Sequence, residues 1–154
     1  MRVDLPVAFE IQSKEKRMNV SSESKALVLA FFEDLSTGRL ESALSRLDED
    51  LEYCIAGNPK RFPLAGTHSK QGFVEVLTTI GATMPDGVRV DILSAVAEES
   101  RVVIETAARG VSATGKTYDN RVAFSCEVRD GKIRSVREYL DTIHANEVLA
   151  EQLR

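Results

Sequence analysis

Residues 118–141 read YDNRVAFSCEVRDGKIRSVREYLD, and the pattern of this stretch decides the fold. From Tyr118 to Val128 apolar side chains alternate with polar ones, which indicates a β-strand with one buried face. Asp130-Gly131 is a strong signal for a hairpin turn. Ile133 to Asp141 then predicts the returning strand. The stretch therefore predicts two neighbouring antiparallel strands.

Two further strands precede this hairpin. Val88, Val90 and Ile92 alternate with polar residues after a Pro-Asp-Gly turn at 85–87. A second strand is predicted from Arg101 to Val111, followed by a turn at 114–116. We therefore expect a four-stranded meander in the second half of the chain.

The first half shows helical periodicity instead. Ser22 is the expected N-cap of a first helix, in which Leu27, Phe31 and Leu35 recur at helical spacing up to Gly38. A short second helix over 40–47 and a strand from Leu51 to Ile55 follow. The remaining predicted elements are a Gly- and Pro-containing loop over 56–67, a third helix capped by Ser69, and a short terminal helix with Ile143, Val148 and Leu149 apolar.

This order predicts an α+β domain, with helices on one face of a curved antiparallel sheet. We expect residues 21–154 to form the domain. Residues 1–20 are expected to be an N-terminal extension, either solvated or laid on the sheet edge as an extra strand. Met18 is an alternative start of the chain.

Composition excludes several classes of function. The chain has 154 residues, with 20 Lys+Arg against 24 Asp+Glu and a formal charge of −4, which argues against nucleic acid as a partner. No apolar run is long enough to span a membrane, and no signal peptide is recognisable. Two cysteines make no disulfide framework. We expect a single cytoplasmic domain that needs no metal to fold.

Both faces of the predicted sheet are partly apolar. In the strand from Arg101, Val102, Ile104 and Ala108 share one face, whereas Val103 and Ala107 share the other. Helices cover only one face of such a sheet. We therefore expect a homodimer that packs through the outer sheet face.

Glu138 is the strongest candidate for chemistry. On its strand it shares a face with Arg134, Val136 and Leu140, while Ile133 belongs to the opposite face. If that face is the concave one, the carboxyl is desolvated, its pKa is raised, and it suits general acid–base work. The alternative is a surface carboxylate paired with a nearby arginine.

Other candidates have structural alternatives. His68 is either a proton shuttle or a loop residue that assists the Ser69 cap. Tyr53 is either a hydrogen-bond donor to a ligand or a core aromatic residue. Asn120 either orients a ligand or satisfies a backbone group. Arg109 shares a face with Glu105, with which it is expected to form an ion pair.

No metal site is expected, because His68 and His144 lack carboxylates at ligand spacing. His144 is expected to be exposed on the terminal helix. No Gly-rich phosphate loop and no nucleophile motif is present.

The hairpin stretch resembles the C-terminal signature of SnoaL-like proteins. The resemblance rests on Tyr118-Asp119-Asn120-Arg121, Phe124, 129–133 and 136–141, and on Leu64-Ala65-Gly66-Thr67-His68 before the third helix. It covers residues 22–150. It implies the cone-shaped fold shared by nuclear transport factor 2, ketosteroid isomerase, limonene epoxide hydrolase, polyketide cyclases and phenazine-biosynthesis proteins, in which a curved antiparallel or mixed sheet wraps around N-terminal helices.

The resemblance also implies roles for single residues. Glu138 looks like the catalytic carboxylate of the polyketide cyclases, the epoxide hydrolase and the phenazine proteins. His68 lies near the histidine that works beside that glutamate, and Tyr53 matches a water-positioning tyrosine. We predict that the ligand-binding residues are Tyr53, Asn120, Ile55, Phe124, Val136 and Arg109.

Departures from the family patterns disfavour two activities. Glu105 and Ala107 stand where the epoxide hydrolases carry Arg and Asp. Ile55 stands near the position of the base of ketosteroid isomerase, and Ala123 or Phe124 stands near that of its oxyanion acid. The expected function is an enzyme without cofactors that isomerises, cyclises or condenses a small apolar carbonyl or cyclic metabolite, and the alternative is a non-catalytic ligand-binding or dimerisation module.

Overall fold

The computed structural model describes residues 7–149, with side chains from Lys14 onward. In chain order the helices and strands of this range are α1 (Val7–Ser36), α2 (Leu40–Ser45), β1 (Leu47–Ile55), β2 (Gly66–His68), α3 (Lys70–Thr83), β3 (Arg89–Glu98), β4 (Arg101–Val111), β5 (Thr117–Arg129), β6 (Lys132–Tyr139) and α4 (Thr142–Leu149). The predicted α+β class and the four-stranded meander, β3 to β6, are confirmed. None of the helices in this range is long and apolar enough to cross a membrane.

The first helix begins much earlier than the sequence predicts. Ser22 is not an N-cap, because α1 runs without a break from Val7 through the predicted domain boundary. An edge strand within 7–20 is therefore excluded, while residues 1–6 lie outside the described part. The exposure of Lys14 to Val20 agrees with a solvated extension.

An ionic cluster joins α1 to α2. Asp34 is 3% exposed and accepts hydrogen bonds from Arg39 Nε and Arg46 Nε, both at 2.8 Å, and from Ser42 Oγ at 2.7 Å. These donors hold the pKa of the Asp34 carboxyl well below its usual range, with the Ser42 and Arg46 hydrogen bonds as the largest causes. These hydrogen bonds hold the turn between α1 and α2 and so fix the orientation of α2 relative to α1.

The sheet has six strands in the order β2-β1-β6-β5-β4-β3. β1 runs parallel to β6, and the other neighbours are antiparallel. The strand β2 begins at the end of the predicted loop over 56–67 and extends one residue beyond it, to His68. Three residues carry too little periodicity to be recognised from the sequence.

β1 also starts earlier than predicted, at Leu47 rather than Leu51. The pairing with β6 shifts between Leu47 and Glu52, so the acidic residues 48–50 bulge from the ladder. Leu47 and Leu51 are both buried on either side of this bulge. The charged run therefore interrupts the alternation without ending the strand.

The helices pack on the concave face of the sheet and bury its inward side chains. α3 begins at the predicted cap, where Ser69 Oγ accepts a hydrogen bond from the Gly72 N–H at 3.1 Å. The core between α1, α3 and the sheet includes Val28, Phe31, Phe73, Val102, Ile104, Cys126 and Val136.

A bulge in β6 changes the predicted alternation. The pairing of β6 with β5 shifts between Glu127 and Val128, which makes Arg134 the extra residue. Ile133 is consequently fully buried, as is Val136, although the sequence pattern assigns the two to opposite faces. Beyond the bulge the alternation holds, and Glu138 lies on the concave side with Val136.

The outer face of the sheet mixes apolar and charged residues. Val96 is 65% exposed and Tyr139 is 52% exposed. Ala107 is buried within the single chain, because its strand neighbours Asp91 and Arg121 flank it.

Candidate functional site

A cavity lies between the helices and the concave face of the sheet. Its volume is about 270 Å³, near the lower end of the roughly 300–1,000 Å³ of ligand pockets. Six aromatic side chains contribute to its wall: Phe32, Tyr53, Phe62, Phe73, Tyr118 and Phe124. Glu138 is the ionisable carboxyl group of this wall.

Strand pairing brings Glu138 and Tyr53 together. β1 and β6 are parallel neighbours, with Tyr53 opposite Val136 and Ile55 opposite Glu138. The Tyr53 hydroxyl donates a hydrogen bond of 2.6 Å to Glu138 Oε2. Oε1 has no donor among residues 14–149, so this oxygen is available to a ligand.

The surroundings of Glu138 favour its protonated form. Desolvation raises the pKa of the carboxyl above its usual range, and the hydrogen bond from Tyr53 opposes that rise. No arginine or lysine contributes to the cavity wall among the described residues. Among these residues the Glu138 carboxyl is therefore not part of a salt bridge.

Tyr53 is held rigidly beside this carboxyl. Its ring stacks on Phe73 of α3 at a centroid distance of 4.4 Å and an angle of 25°. Burial raises the pKa of its hydroxyl well above the usual value, with a further contribution from the Glu138 charge. The phenol therefore remains protonated and keeps donating to Glu138.

Among the other predicted ligand contacts, Ile55 and Phe124 line the cavity, with Phe124 directly opposite Glu138 in the β5–β6 register. Val136 does not line the cavity. It is fully buried in the core on the same face, beneath the cavity wall.

His68 lies outside the cavity wall. It sits on the edge strand β2, opposite Tyr53 in register, and its Nε2 donates to the Leu64 carbonyl oxygen at 2.8 Å. Leu64 itself lines the cavity. The imidazole therefore supports the loop beside the cavity and is not brought against Glu138.

Asn120 is buried on the concave face but is occupied by the backbone. Its Nδ2 donates to the Asp141 carbonyl oxygen at 3.0 Å, and its Oδ1 accepts from the Asp141 N–H at 3.1 Å. This corresponds to the alternative in which Asn120 satisfies a backbone group. The two bonds fix the start of α4.

Arg109 lies on the face of the sheet opposite to the cavity. Its neighbour Ala108 lines the cavity, and alternation along β4 turns the Arg109 side chain outward. There it forms ion pairs with Asp91 and Asp119, at 3.8 Å and 3.5 Å. The expected pair with Glu105 is absent, and Glu105 instead accepts a hydrogen bond from Ser94.

The sequence analysis did not select Tyr118 as a site residue, although its alternation with Phe124 places both on one face. Tyr118 is 5% exposed and lines the cavity. Its ring stacks on His144 at 5.5 Å and 8°. His144 is half-buried, not exposed as expected, and its Nε2 accepts a hydrogen bond from the Asp119 N–H.

Within the described range, no group of three or more His, Cys, Asp or Glu side chains is arranged to hold a metal ion. Cys126 is buried on the concave face, and burial raises the pKa of its thiol to about 12. The polar side-chain groups described on the cavity wall are hydroxyl groups and the Glu138 carboxyl group.

A curved mixed sheet wrapped around helices, with an acidic group in an apolar cavity between them, defines a class of cone-shaped α+β domains. The sequence matches the SnoaL-like domain family over residues 28–136, and the chain belongs to that family. The match includes Tyr53 and ends two residues before Glu138. None of the curated proteins compared matches the chain.

Solved structures of this fold are similar over most of the chain. An NTF2-like protein from Burkholderia xenovorans LB400 is 27% identical with a TM-score of 0.68, over 84% of this chain and 97% of that one. TerC, co-crystallised with polyporic acid, is 22% identical with a TM-score of 0.73, over 84% and 99%. A putative SnoaL-like polyketide cyclase from Jannaschia sp. CCS1 is 12% identical with a TM-score of 0.70, over 86% and 94%.

Proposed function

We propose that the protein is an enzyme that moves a proton on a small, largely apolar carbonyl or cyclic metabolite, with Glu138 as the general acid–base and no cofactor. The observation that carries this proposal is the hydrogen bond of 2.6 Å from Tyr53 to Glu138 inside an apolar cavity. A raised pKa makes the anion of a carboxyl a stronger base, which suits the group to accept a proton and to return it.

The proton transfer is balanced within the site. Glu138 Oε1 takes a proton from the carbon beside a carbonyl, so that a C–H bond breaks and an O–H bond forms. The electron pair moves into an enolate, whose oxygen carries the charge. Returning the proton to a different carbon isomerises the substrate. Attack of the enolate carbon on a second carbonyl of the same molecule instead closes a ring, and the resulting alkoxide oxygen takes the proton back from Glu138.

Two features support a neutral apolar ligand. The cavity wall is mainly aromatic and aliphatic, and it carries no arginine or lysine within the described range that would neutralise a carboxylate or phosphate. A similar structure was obtained with polyporic acid bound, and another is described as a putative polyketide cyclase. Both comparisons are compatible with a cyclic ligand.

The test is hydrogen–deuterium exchange at the carbon beside the carbonyl of cyclic ketones, followed by NMR in deuterated buffer. We expect the wild-type protein to accelerate exchange of at least one ketone of a tetralone panel. Glu138→Gln should lower that rate by about 10²–10⁴-fold. Glu52→Gln, on an exposed residue of the neighbouring strand β1, is the matched control and should leave the rate unchanged.

The alternative is a non-catalytic ligand-binding module on the same scaffold. It is favoured by the position of His68, which is not brought against Glu138 and leaves the carboxyl without a second titrating partner. Ketones that bind the wild-type protein with no acceleration of exchange would establish this alternative. An exchange rate equal in wild type and Glu138→Gln would likewise exclude Glu138 as the acting group.

We also propose that the outer face of the sheet forms a homodimer. Exposed Val96 and Tyr139 lie on this face, and Val103 and Ala123 are only half-buried. Sedimentation equilibrium should give twice the monomer mass of 17.0 kDa. Tyr139→Glu should shift the protein to monomer, while Ile143→Glu, at a 74% exposed residue of α4, should not. A monomeric wild-type protein would contradict the proposal.

A further inference from the structure

The hydroxyl groups on the cavity wall differ in whether their protons are already donated. Tyr53 donates to Glu138 at 2.6 Å. Thr106 Oγ1 donates to the Val122 carbonyl oxygen, and Ser36 Oγ donates to the Glu33 carbonyl oxygen, both at 3.0 Å. Since a hydroxyl has one proton, none of these three is free to donate to a ligand.

Tyr118 is different. No oxygen atom among residues 14–149 accepts a hydrogen bond from its hydroxyl. The Asn120 side chain lies near this hydroxyl and lowers its pKa, which is the direction expected of an N–H donor and not of an acceptor. Asn120 Oδ1 already accepts a hydrogen bond from the Asp141 N–H, so this oxygen is engaged by the backbone. The Tyr118 proton is thus left for the cavity.

The ring of Tyr118 is fixed in place before any ligand binds. It stacks on His144 from α4, and His144 is itself held by the Asp119 N–H at 3.0 Å. Burial is the largest cause that raises the pKa of the hydroxyl, to about 12, with the Glu138 charge second. The hydroxyl therefore keeps its proton at every pH at which the protein would work.

We propose that Tyr118 is a ligand-binding residue whose hydroxyl donates a hydrogen bond to a carbonyl oxygen of the ligand, while Glu138 Oε1 receives the acidic C–H or O–H of the same molecule. The ligand class is accordingly a neutral cyclic compound with an acceptor at one end and a proton to give at the other. This assignment rests on the proposed function for the role of Glu138, but the role of Tyr118 stands on binding alone.

Tyr118 would also stabilise the enolate that forms when Glu138 removes a proton. When Glu138 takes a proton from carbon, negative charge develops on the carbonyl oxygen. A fixed phenol donor in an apolar cavity stabilises that charge more than it stabilises the neutral carbonyl. The two groups would then act on the two ends of one conjugated unit.

The experiment measures the affinity of four matched probes by calorimetry: tetralone, a hydroxytetralone, tetrahydronaphthol and tetralin. Tyr118→Phe keeps the ring and removes only the hydroxyl. We expect it to weaken binding of the two ketones by about threefold to tenfold. Binding of tetralin, which has no hydrogen-bond acceptor, should change by less than about twofold. Tetrahydronaphthol, whose hydroxyl oxygen is a weaker acceptor than a ketone, should lose less affinity than the ketones.

Thr78→Val, which removes an exposed hydroxyl of α3 outside the cavity wall, is the control and should alter no affinity. An equal loss for all four probes would show that Tyr118 only shapes the cavity and would overturn the proposal. Unchanged affinity for the ketones would overturn it as well. If the ketone-selective loss is found but Glu138→Gln leaves exchange unaffected, the proposed enzyme fails and the Tyr118 assignment stands.

Discussion

Two carboxylates, Asp34 and Glu138, are withdrawn from bulk water in this molecule, and their surroundings differ in one decisive respect. Asp34 receives three hydrogen bonds, two of them from arginines. Glu138 receives one, from the neutral hydroxyl of Tyr53. The pKa of Asp34 is therefore held below the usual range, whereas the pKa of Glu138 is raised above it.

The comparison shows what separates a structural carboxylate from a chemical one. Donors that satisfy both oxygens, with opposite charge close by, fix the ionised form and so fix the geometry of α1 and α2. A single neutral donor in an apolar cavity leaves one oxygen open and keeps both protonation states accessible. Only the second arrangement suits proton transfer.

The largest stability effect is expected at the Asp34 cluster. Asp34→Asn leaves Arg39 and Arg46 without their anion, so the protein should unfold at a clearly lower temperature at neutral pH. Because the folded pKa of Asp34 is lowered, its stabilising contribution is present above the unfolded carboxyl pKa and is lost as pH falls through the folded value. Calorimetry across pH should therefore show the variant and wild type converging in acid.

Glu33→Gln is the control for that variant, since Glu33 is a neighbouring residue whose side chain is 69% exposed and 3.9 Å from Arg39. It should shift the unfolding temperature little. Equal effects of the two substitutions would show that Asp34 is no more than a surface pair and would remove the basis of the comparison.

A smaller effect is expected at Tyr53. Tyr53→Phe removes the one hydrogen bond that residues 14–149 make to the Glu138 carboxyl. The loss of stability should be about 1–3 kcal/mol because a buried acceptor is left unsatisfied. The pKa of Glu138 should rise further, since the hydrogen bond opposes the effect of burial. Carbon NMR titration of labelled glutamate measures that pKa.

Tyr139→Phe provides the matched removal of a hydroxyl on the outer face, where Tyr139 is 52% exposed. It should change neither stability nor titration. A Glu138 pKa that falls in Tyr53→Phe would mean that Tyr53 stabilises the protonated form, contrary to the hydrogen bond described here.

The smallest effect on stability is expected from Glu138→Gln. This substitution should stabilise the fold, whereas Asp34→Asn should destabilise it. Because the folded pKa of Glu138 is raised, its favourable contribution is present below the unfolded carboxyl pKa and is lost as pH rises through the folded value. Glutamine stays neutral, so the variant should be more stable than the wild type at neutral pH and equally stable in acid. Denaturant unfolding at several pH values measures the gain. Destabilisation at neutral pH would show that the ionised carboxylate is held favourably.

Much of the fold follows from local patterns in the sequence. The hairpin at Asp130-Gly131, the Ser69 cap and the alternation of β4 and β5 are signals within a few residues of chain, and each is confirmed. The errors arise where neighbours override the local signal. Ser22 is an acceptable helix residue once α1 continues through it, and the bulge at Arg134 returns Ile133 to the core.

The candidate site was only partly accessible to the same reasoning. Alternation places Tyr53, Phe124 and Glu138 correctly on the cavity wall. It does not distinguish a residue that lines a cavity from one that is buried below it, such as Val136, or from one whose polar atoms are taken by backbone, such as Asn120. Those differences depend on distances between strands that are far apart in the chain.

By itself, the sequence determined the class of the domain and the meander, because each depends on periodicity and turn chemistry within one element. It singled out Glu138 as a candidate but left the face of the sheet that this residue occupies open. The tertiary structure decided which side chains meet. The parallel pairing of β1 with β6 joins Tyr53 to Glu138 across 85 residues, and α4 fixes Tyr118 through His144. Hydrogen-bond partners and desolvation are properties of that packing, so the chemical character of Glu138 and Tyr118 exists only in the folded chain.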